Sequence, residues 1–429
     1  MGLLAPTPAW AALRVLRDAE TEIFLHRAAK PIFQAAGLSP NSVKFILVED
    51  DNINAFVAGG QNIFIYSGLI LATDNVDELL GVLAHETAHI SGGHLLRMEG
   101  AIENASRQSI LFMILGLAAA AVSGQGQIGA AATAIGGQAT LSNILAHSRA
   151  HEDSADQAAF KFLRTAQMPT AGLTSFMGKL VDQELLPASR QDEYMRTHPL
   201  SRDRFVAMQR RTESVKDFPR NEKLNNDYMR IRAKLRGYVK PRITIQGESD
   251  NSFTDRYGRA LALYRLNDTS AAIKMLNELI KEEPNNPYLH EFKGQILFER
   301  GESKEAAQSY AAANGHVPGV PLILLGYGRA LAADGQLSQA IQILEQTVQL
   351  EPDSNEARRA LAIAYGRSGN KNRAQLELAE EALLQLDYKE ALGRAKSAEF
   401  PAGTPQAIRA NDIVLLAEQK IAETKEKER

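Results

Sequence analysis

The sequence predicts a mainly α-helical protein in two parts: an α+β domain over residues 1–250 and an α-solenoid over residues 251–429. Three observations carry this. Short β-branched and aromatic runs occur only between residues 43 and 66, helical spacing of apolar residues dominates from Asp74 onward, and the C-terminal part repeats with a period of 34. A chain of 429 residues also exceeds what one hydrophobic core usually organises.

From Leu13 to Ala36 the apolar pattern is helical, and Gly37 with Pro40 ends it. Val43–Val48 and Asn62–Tyr66 read as strands of a small sheet, separated by Asp50-Asp51-Asn52 and Gly59-Gly60. Gln61–Tyr66 is expected at the edge of that sheet, where an extended chain could add as a further strand; an ordinary edge strand without such a role is the alternative. Ile110–Val122 is an apolar run of 13 residues. As a helix it reaches about 20 Å, against a hydrocarbon core of roughly 30 Å, so it is not a transmembrane span. With the Gly/Ala-rich stretch Ile128–Ala146 it reads as a buried helical hairpin, with contact at a membrane surface as the alternative. Residues 205–250 are polar with helical patches and read as a connecting helix and linker.

The repeats then announce themselves in three columns. Pro284, Pro318 and Pro352 are 34 apart, as are Gly301, Gly335 and Gly369, and Ala272 continues through Ala306, Ala340 and Ala374. This is the tetratricopeptide period. Small residues at Ala260, Gly294, Gly328 and Ala362 let the first helix of each pair approach the second, the Gly series ends the first helix, and each Pro stops the second. The array is expected from Phe253 to Asp387, with one further helical pair to Lys420 and a charged tail from Lys425 to Arg429. Stacked pairs offer a concave surface suited to proteins or peptides.

Composition removes several functions. A net charge of −3 supplies no field for nucleic acid or an anionic membrane. The absence of cysteine excludes a thiol nucleophile, a disulfide frame and a cysteine-built metal site. Any metal must rest on His and carboxylate. Ala9-Trp10-Ala11 resembles the end of a secretory signal without the preceding basic segment, and reads as a clipped signal tail or else a disordered start.

His85-Glu86-Thr87-Ala88-His89 is an HExxH motif within a helical stretch from Glu78 to Leu96. His85 and His89 lie one turn apart and can reach one metal, whereas Glu86 is rotated by about 100° and can serve a water beside it. A catalytic zinc site needs a third protein ligand. A three-histidine solution needs His at position 95, which is Leu95, and His94 is one residue off. A carboxylate from a later helix, the gluzincin solution, is supplied by Glu152 in Ser148–Asp156. Asp156 lies on the same face to orient a ligand imidazole, while His151 and Asp153 point elsewhere. One zinc ion per chain is therefore expected on His85, His89 and Glu152.

These motifs, with Asn54-Ala55-Phe56, Gly59-Gly60, Ser67-Gly68-Leu69 and Thr197-His198-Pro199 followed by Arg204, resemble the zinc metallopeptidases that include HtpX and the CAAX prenyl proteases. Within them the chain is similar to the BepA-like periplasmic members with C-terminal tetratricopeptide repeats. The resemblance runs from Arg14 onward; one departure is Ala58, where proline is common. It implies His85, His89 and Glu152 as zinc ligands, Glu86 as general base, and His198 and Arg204 as a late catalytic pair. Arg204 could stabilise an oxyanion. His198 could do the same, or sit on zinc as a fourth ligand and act as a gate. The resemblance further implies a periplasmic endopeptidase acting on misfolded or stalled outer-membrane proteins. Protein partners would dock on the repeats, with peripheral contact to the outer-membrane assembly machinery. A repeat-based chaperone or assembly adaptor with a rarely active protease is the alternative.

Overall fold

A computed structural model describes residues 14–94, 149–186 and 190–427. The expected clipped signal at residues 9–11 and the hairpin over residues 110–146 lie outside the described residues. The chain forms two compact units, one ending at Leu266 and one running from Asn267 to Arg429. Among the described residues no helix is long and apolar enough to cross a membrane.

The first unit opens with a two-residue strand, β1 (Val15–Leu16), and then α1 (Ala19–Ala35), which Asp18 caps by accepting from the Thr21 amide. Val15 and Leu16 pair with the next strand instead of starting the helix, so the helix begins four residues after Val15. Gly37, at φ 74°, ends it as expected. A four-stranded sheet follows from β2 (Lys44–Val48), β3 (Ala55–Ala58) and β4 (Asn62–Tyr66), in the order β1-β2-β4-β3.

The expected edge strand is therefore interior. β4 pairs in parallel with β2 and antiparallel with β3, and β3 takes the edge. The reason is local: Gly59 and Gly60 both adopt positive φ, 59° and 93°, and close a tight hairpin that folds Ala55–Ala58 back along β4. Four residues without polar alternation hid this strand, because all four are buried.

Helices α2 (Ser67–Ala72) and α3 (Val76–Ser91) follow directly. Asn75 caps α3 by accepting from the amides of Asp77 and Glu78, and every residue from Val76 to His89 is buried. Two helices hold α3 from the far side, α4 (Arg149–Thr165) and α5 (Ala171–Leu180). Fully buried Ala155 and Ala159 let α4 lie close. At the α5 crossing, glycines replace side chains altogether. A Cβ on Gly81 would stand 2.6 Å from the Leu173 Cα, and one on Gly172 would stand 2.2 Å from the Asp77 carbonyl. Glu78 ties the same pair, accepting from Ser175 Oγ at 2.7 Å and Lys179 Nζ at 2.6 Å.

Helices α6 (Glu193–Thr197), α7 (Arg202–Glu213), α8 (Glu222–Val239), α9 (Pro241–Gln246) and α10 (Phe253–Arg265) complete the unit. The stretch 205–250 is packed into it. Asn225 Oδ1 accepts the Val76 amide at 3.1 Å at the start of α3, and buried Tyr228 donates to the Ile70 carbonyl at 2.9 Å. Helix α10, the first helix of the repeat pattern, crosses α8 at two glycines; a Cβ on Gly237 would stand 2.0 Å from the Gly258 carbonyl oxygen. Beside that crossing, Glu20 of α1 accepts from Lys234 Nζ at 3.1 Å and from the Tyr257 hydroxyl at 2.8 Å.

The second unit is helical throughout: α11 (Thr269–Glu282), α12 (Pro287–Glu299), α13 (Ser303–His316), α14 (Pro321–Ala333), α15 (Leu337–Leu350), α16 (Asn355–Arg367), α17 (Lys371–Leu384), α18 (Tyr388–Ser397) and α19 (Pro405–Lys427). Gly301, Gly335 and Gly369 stand at φ 81°, 84° and 87° just after α12, α14 and α16, while Pro284, Pro318 and Pro352 follow α11, α13 and α15. The Gly and Pro columns stand where their spacing predicted. Gly328 makes room for Leu344, whose Cγ a Cβ would approach to 2.5 Å.

The α3–α5 crossing predicts an asymmetry between two glycines on one helix. Gly172→Ala should lower stability by about 1–3 kcal/mol through overpacking against backbone. Gly178→Ala meets only the Phe205 ring, at 3.4 Å, and should leave the urea midpoint unchanged or raised.

Candidate metal centre

The HExxH helix presents its histidines inward. His85 and His89 are 2% and 1% exposed, and their Nε2 atoms lie 3.0 Å apart. The carboxylate of Glu152, from the first turn of α4, closes on both: Oε2 is 3.3 Å from His85 Nε2 and Oε1 is 3.4 Å from His89 Nε2. His198, at the C-terminal cap of α6, completes the group. One ligand atom from each of His85, His89, Glu152 and His198 falls within a 4.8 Å cluster, and all four residues are buried.

His85, Glu152 and His198 are each backed by a neighbour. Asp156, one turn beyond Glu152, lies 3.0 Å from His85 Nδ1. Arg204 donates from Nε to Asp156 at 2.8 Å and from Nη1 to the Pro199 carbonyl at 2.6 Å, and its Nη2 lies 3.2 Å from Glu152. The guanidinium therefore braces both carboxylates of α4. Thr197 Oγ1 stands 2.9 Å from His198 Nδ1, and the Tyr194 ring stacks on the His198 ring with centroids 4.7 Å apart. His198 Nε2 is turned toward Glu86, 3.5 Å from Oε1.

Electrostatics separates the two glutamates. Burial pushes the Glu86 carboxyl up to about 8, and the Glu152 charge adds to that rise. Burial works against the Glu152 charge too, but the facing His198, His85 and Arg204 outweigh it and hold that carboxyl down at about 2. Both oxygens of Glu86 are buried without a hydrogen bond among the described residues, and those of Glu152 have only the longer ion-pair contacts with His85, His89 and Arg204. Buried carboxylate oxygens without such partners are costly, and a cation among two imidazoles and a carboxylate removes that cost. The donor set of nitrogen and oxygen, with a histidine as further donor, fits a divalent metal and suits zinc.

The structure thus brings His85, His89, Glu152 and His198 together, sets Glu86 beside them, and puts Asp156 and Arg204 behind them. Asp153 lies apart, accepting from Gln157. Four contributors were not expected from sequence: Tyr194, Thr197, Asn54, which lies 3.3 Å from the Thr197 hydroxyl, and His94 against His89. Asn54 and Thr197 stand out in the sequence only as marks of the family resemblance and His94 only as the histidine one residue off the three-histidine spacing, while Tyr194 leaves no trace.

Comparison with known proteins separates the same two parts of the chain. Residues 19–212 match the model of peptidase family M48, and residues 257–321 and 297–362 match tetratricopeptide repeat models. The chain is 27% identical over 380 residues to a beta-barrel assembly-enhancing protease of Yersinia pestis, covering 82% of this chain and 74% of that one. It is 26% identical over 388 residues to the protein of the same name in Escherichia coli, covering 86% of this chain and 78% of that one. A shorter match, 34% over 74 residues, links it to the mitochondrial metalloendopeptidase OMA1 of Schizosaccharomyces pombe, covering 17% of this chain and 22% of that one.

Zinc added to metal-free protein should raise the melting temperature, by the equivalent of about 3 kcal/mol at a hundredfold excess over Kd. Glu152→Gln should abolish the shift. Asp156→Asn should keep it but require about 10–100 times more zinc.

Proposed function

We propose that this protein, whose residues 19–212 match the peptidase family M48 model, is a zinc metalloendopeptidase of the periplasm that cleaves misfolded or stalled outer-membrane proteins. The observation that carries the catalytic part is the meeting of His85, His89 and Glu152 with Glu86 alongside. The printed name of its relatives, beta-barrel assembly-enhancing protease, supports the substrate class.

Zinc, when bound, polarises the scissile carbonyl and acidifies a water toward neutrality. His85, His89 and Glu152 would hold the ion. The Glu86 carboxylate takes the proton of the attacking water and passes it to the leaving amide nitrogen. Arg204 keeps Glu152 and Asp156 in place through the contacts described. His198 is the fourth ligand in this reading, because its nitrogen lies inside the same 4.8 Å cluster. It then holds the site shut until substrate arrives. Stabilisation of the oxyanion is its other role.

Substrate binding falls to the edge of β3, which lies along α3, pairs among the described residues with β4 on one side only, and is covered in this closed state. An extended chain can add there as a strand, which selects unfolded segments over folded ones. The repeats supply protein docking. A second reading, an assembly adaptor whose protease rarely fires, follows from the same repeats and from the closing role of His198.

Glu86→Gln should retain stoichiometric zinc and lose about 10²–10⁴ in casein cleavage. If the variant still supports outer-membrane assembly fully in cells, the adaptor reading holds. His198→Ala should cleave faster than wild type, and slower cleavage would assign it the oxyanion instead.

A further inference from the structure

His94 lies where a continued helix could not put it. Five residues along an α-helix turn a side chain through about 500°, leaving it roughly 140° away from the starting face, so His94 should point away from His89. It does not. Helix α3 ends at Ser91, Gly93 adopts a left-handed φ of 60°, and the chain doubles back. His94 Nδ1 comes to 3.0 Å from His89 Nδ1, with His94 itself 3% exposed. Gly92 leaves the room: a Cβ there would stand 2.6 Å from His94 Nε2. From the other side His151, the neighbour of Glu152 on α4, stacks on the His94 ring with centroids 4.7 Å apart and planes 10° from parallel.

The chemistry of that contact is directional. His89 turns Nε2 inward, toward His85 and Glu152. A metal taken there uses the Nε2 lone pair, so a neutral His89 carries its proton on Nδ1 and must donate outward. The atom waiting at 3.0 Å is the ring nitrogen of His94. His85 has an anionic acceptor in the same place, Asp156. We propose that His94 is a positioning residue for the metal centre, accepting the His89 Nδ1–H bond and thereby fixing which nitrogen of His89 faces the ion. The two imidazole ligands are then supported unequally, one by a carboxylate and one by a neutral ring. This rests on the metal-centre reading above.

The test is zinc affinity of the full chain, by competition with a chromophoric chelator, in wild type, His94→Phe, His94→Ala and His94→Gln. Phe keeps a ring to stack on His151 but cannot accept; Gln gives up the ring and keeps an acceptor. Phe and Ala should bind zinc about 10–100 times more weakly than wild type, and Gln should recover most of that loss. Wild-type affinity in His94→Phe or His94→Ala, or equal weakness in Gln and Phe, overturns the inference and leaves the metal centre standing. A wild-type chain that takes up no stoichiometric zinc overturns both.

Discussion

The arrangement of the first unit depends on one demand: the Glu152 carboxylate must sit, fully buried, against two imidazoles from another helix. Concentrating these groups in an apolar interior is unfavourable unless each atom has a partner. The fold answers in layers. Inward atoms converge on a single point, and outward atoms are matched by Asp156, Arg204, Thr197 and His94. The glycine crossing of α3 on α5 and the alanine seam of α4 serve the same end, since both bring backbones close enough for short side chains to meet.

What the sequence disclosed follows from how local each feature is. The HExxH pair needs only one helical turn, and the repeat needs only periodicity, so His85, Glu86, His89 and the Pro, Gly and Ala columns could be read directly. Asp156 was legible because it shares a helix face with Glu152. Arg204 was legible as a participant but not in its placement, since its partners lie 48 and 52 positions earlier in the chain (204 minus 156 and 204 minus 152). The edge strand was misplaced because Ala55–Ala58 is buried along its whole length and shows no alternation, although Gly59-Gly60 marked the hairpin. Tyr194 and Thr197 act through stacking and a hydroxyl contact that no spacing rule describes.

The two units spend their small residues differently. In the second unit Gly301, Gly335 and Gly369 adopt positive φ at helix ends and recur every 34 positions, so they terminate elements and set a register. In the first unit Gly81 and Gly172 sit within helices and recur nowhere, because they serve one crossing. A periodic glycine therefore reports architecture, and an isolated helical glycine reports the seating of a particular side chain nearby.

Helix α10 belongs by sequence rhythm to the repeats, yet its Tyr257 hydroxyl completes the hydrogen bonding of Glu20 on the first helix, and Gly258 is locked against Gly237. The boundary between the two modules is thus shared property. A recombination event that exchanged the array at the end of the polar stretch would leave Glu20, buried beside Asp18 and Lys234, without the hydroxyl that completes its hydrogen bonding. Grafting in nature or in the laboratory has to carry this helix with the peptidase, leaving the joint free to vary only beyond Leu266.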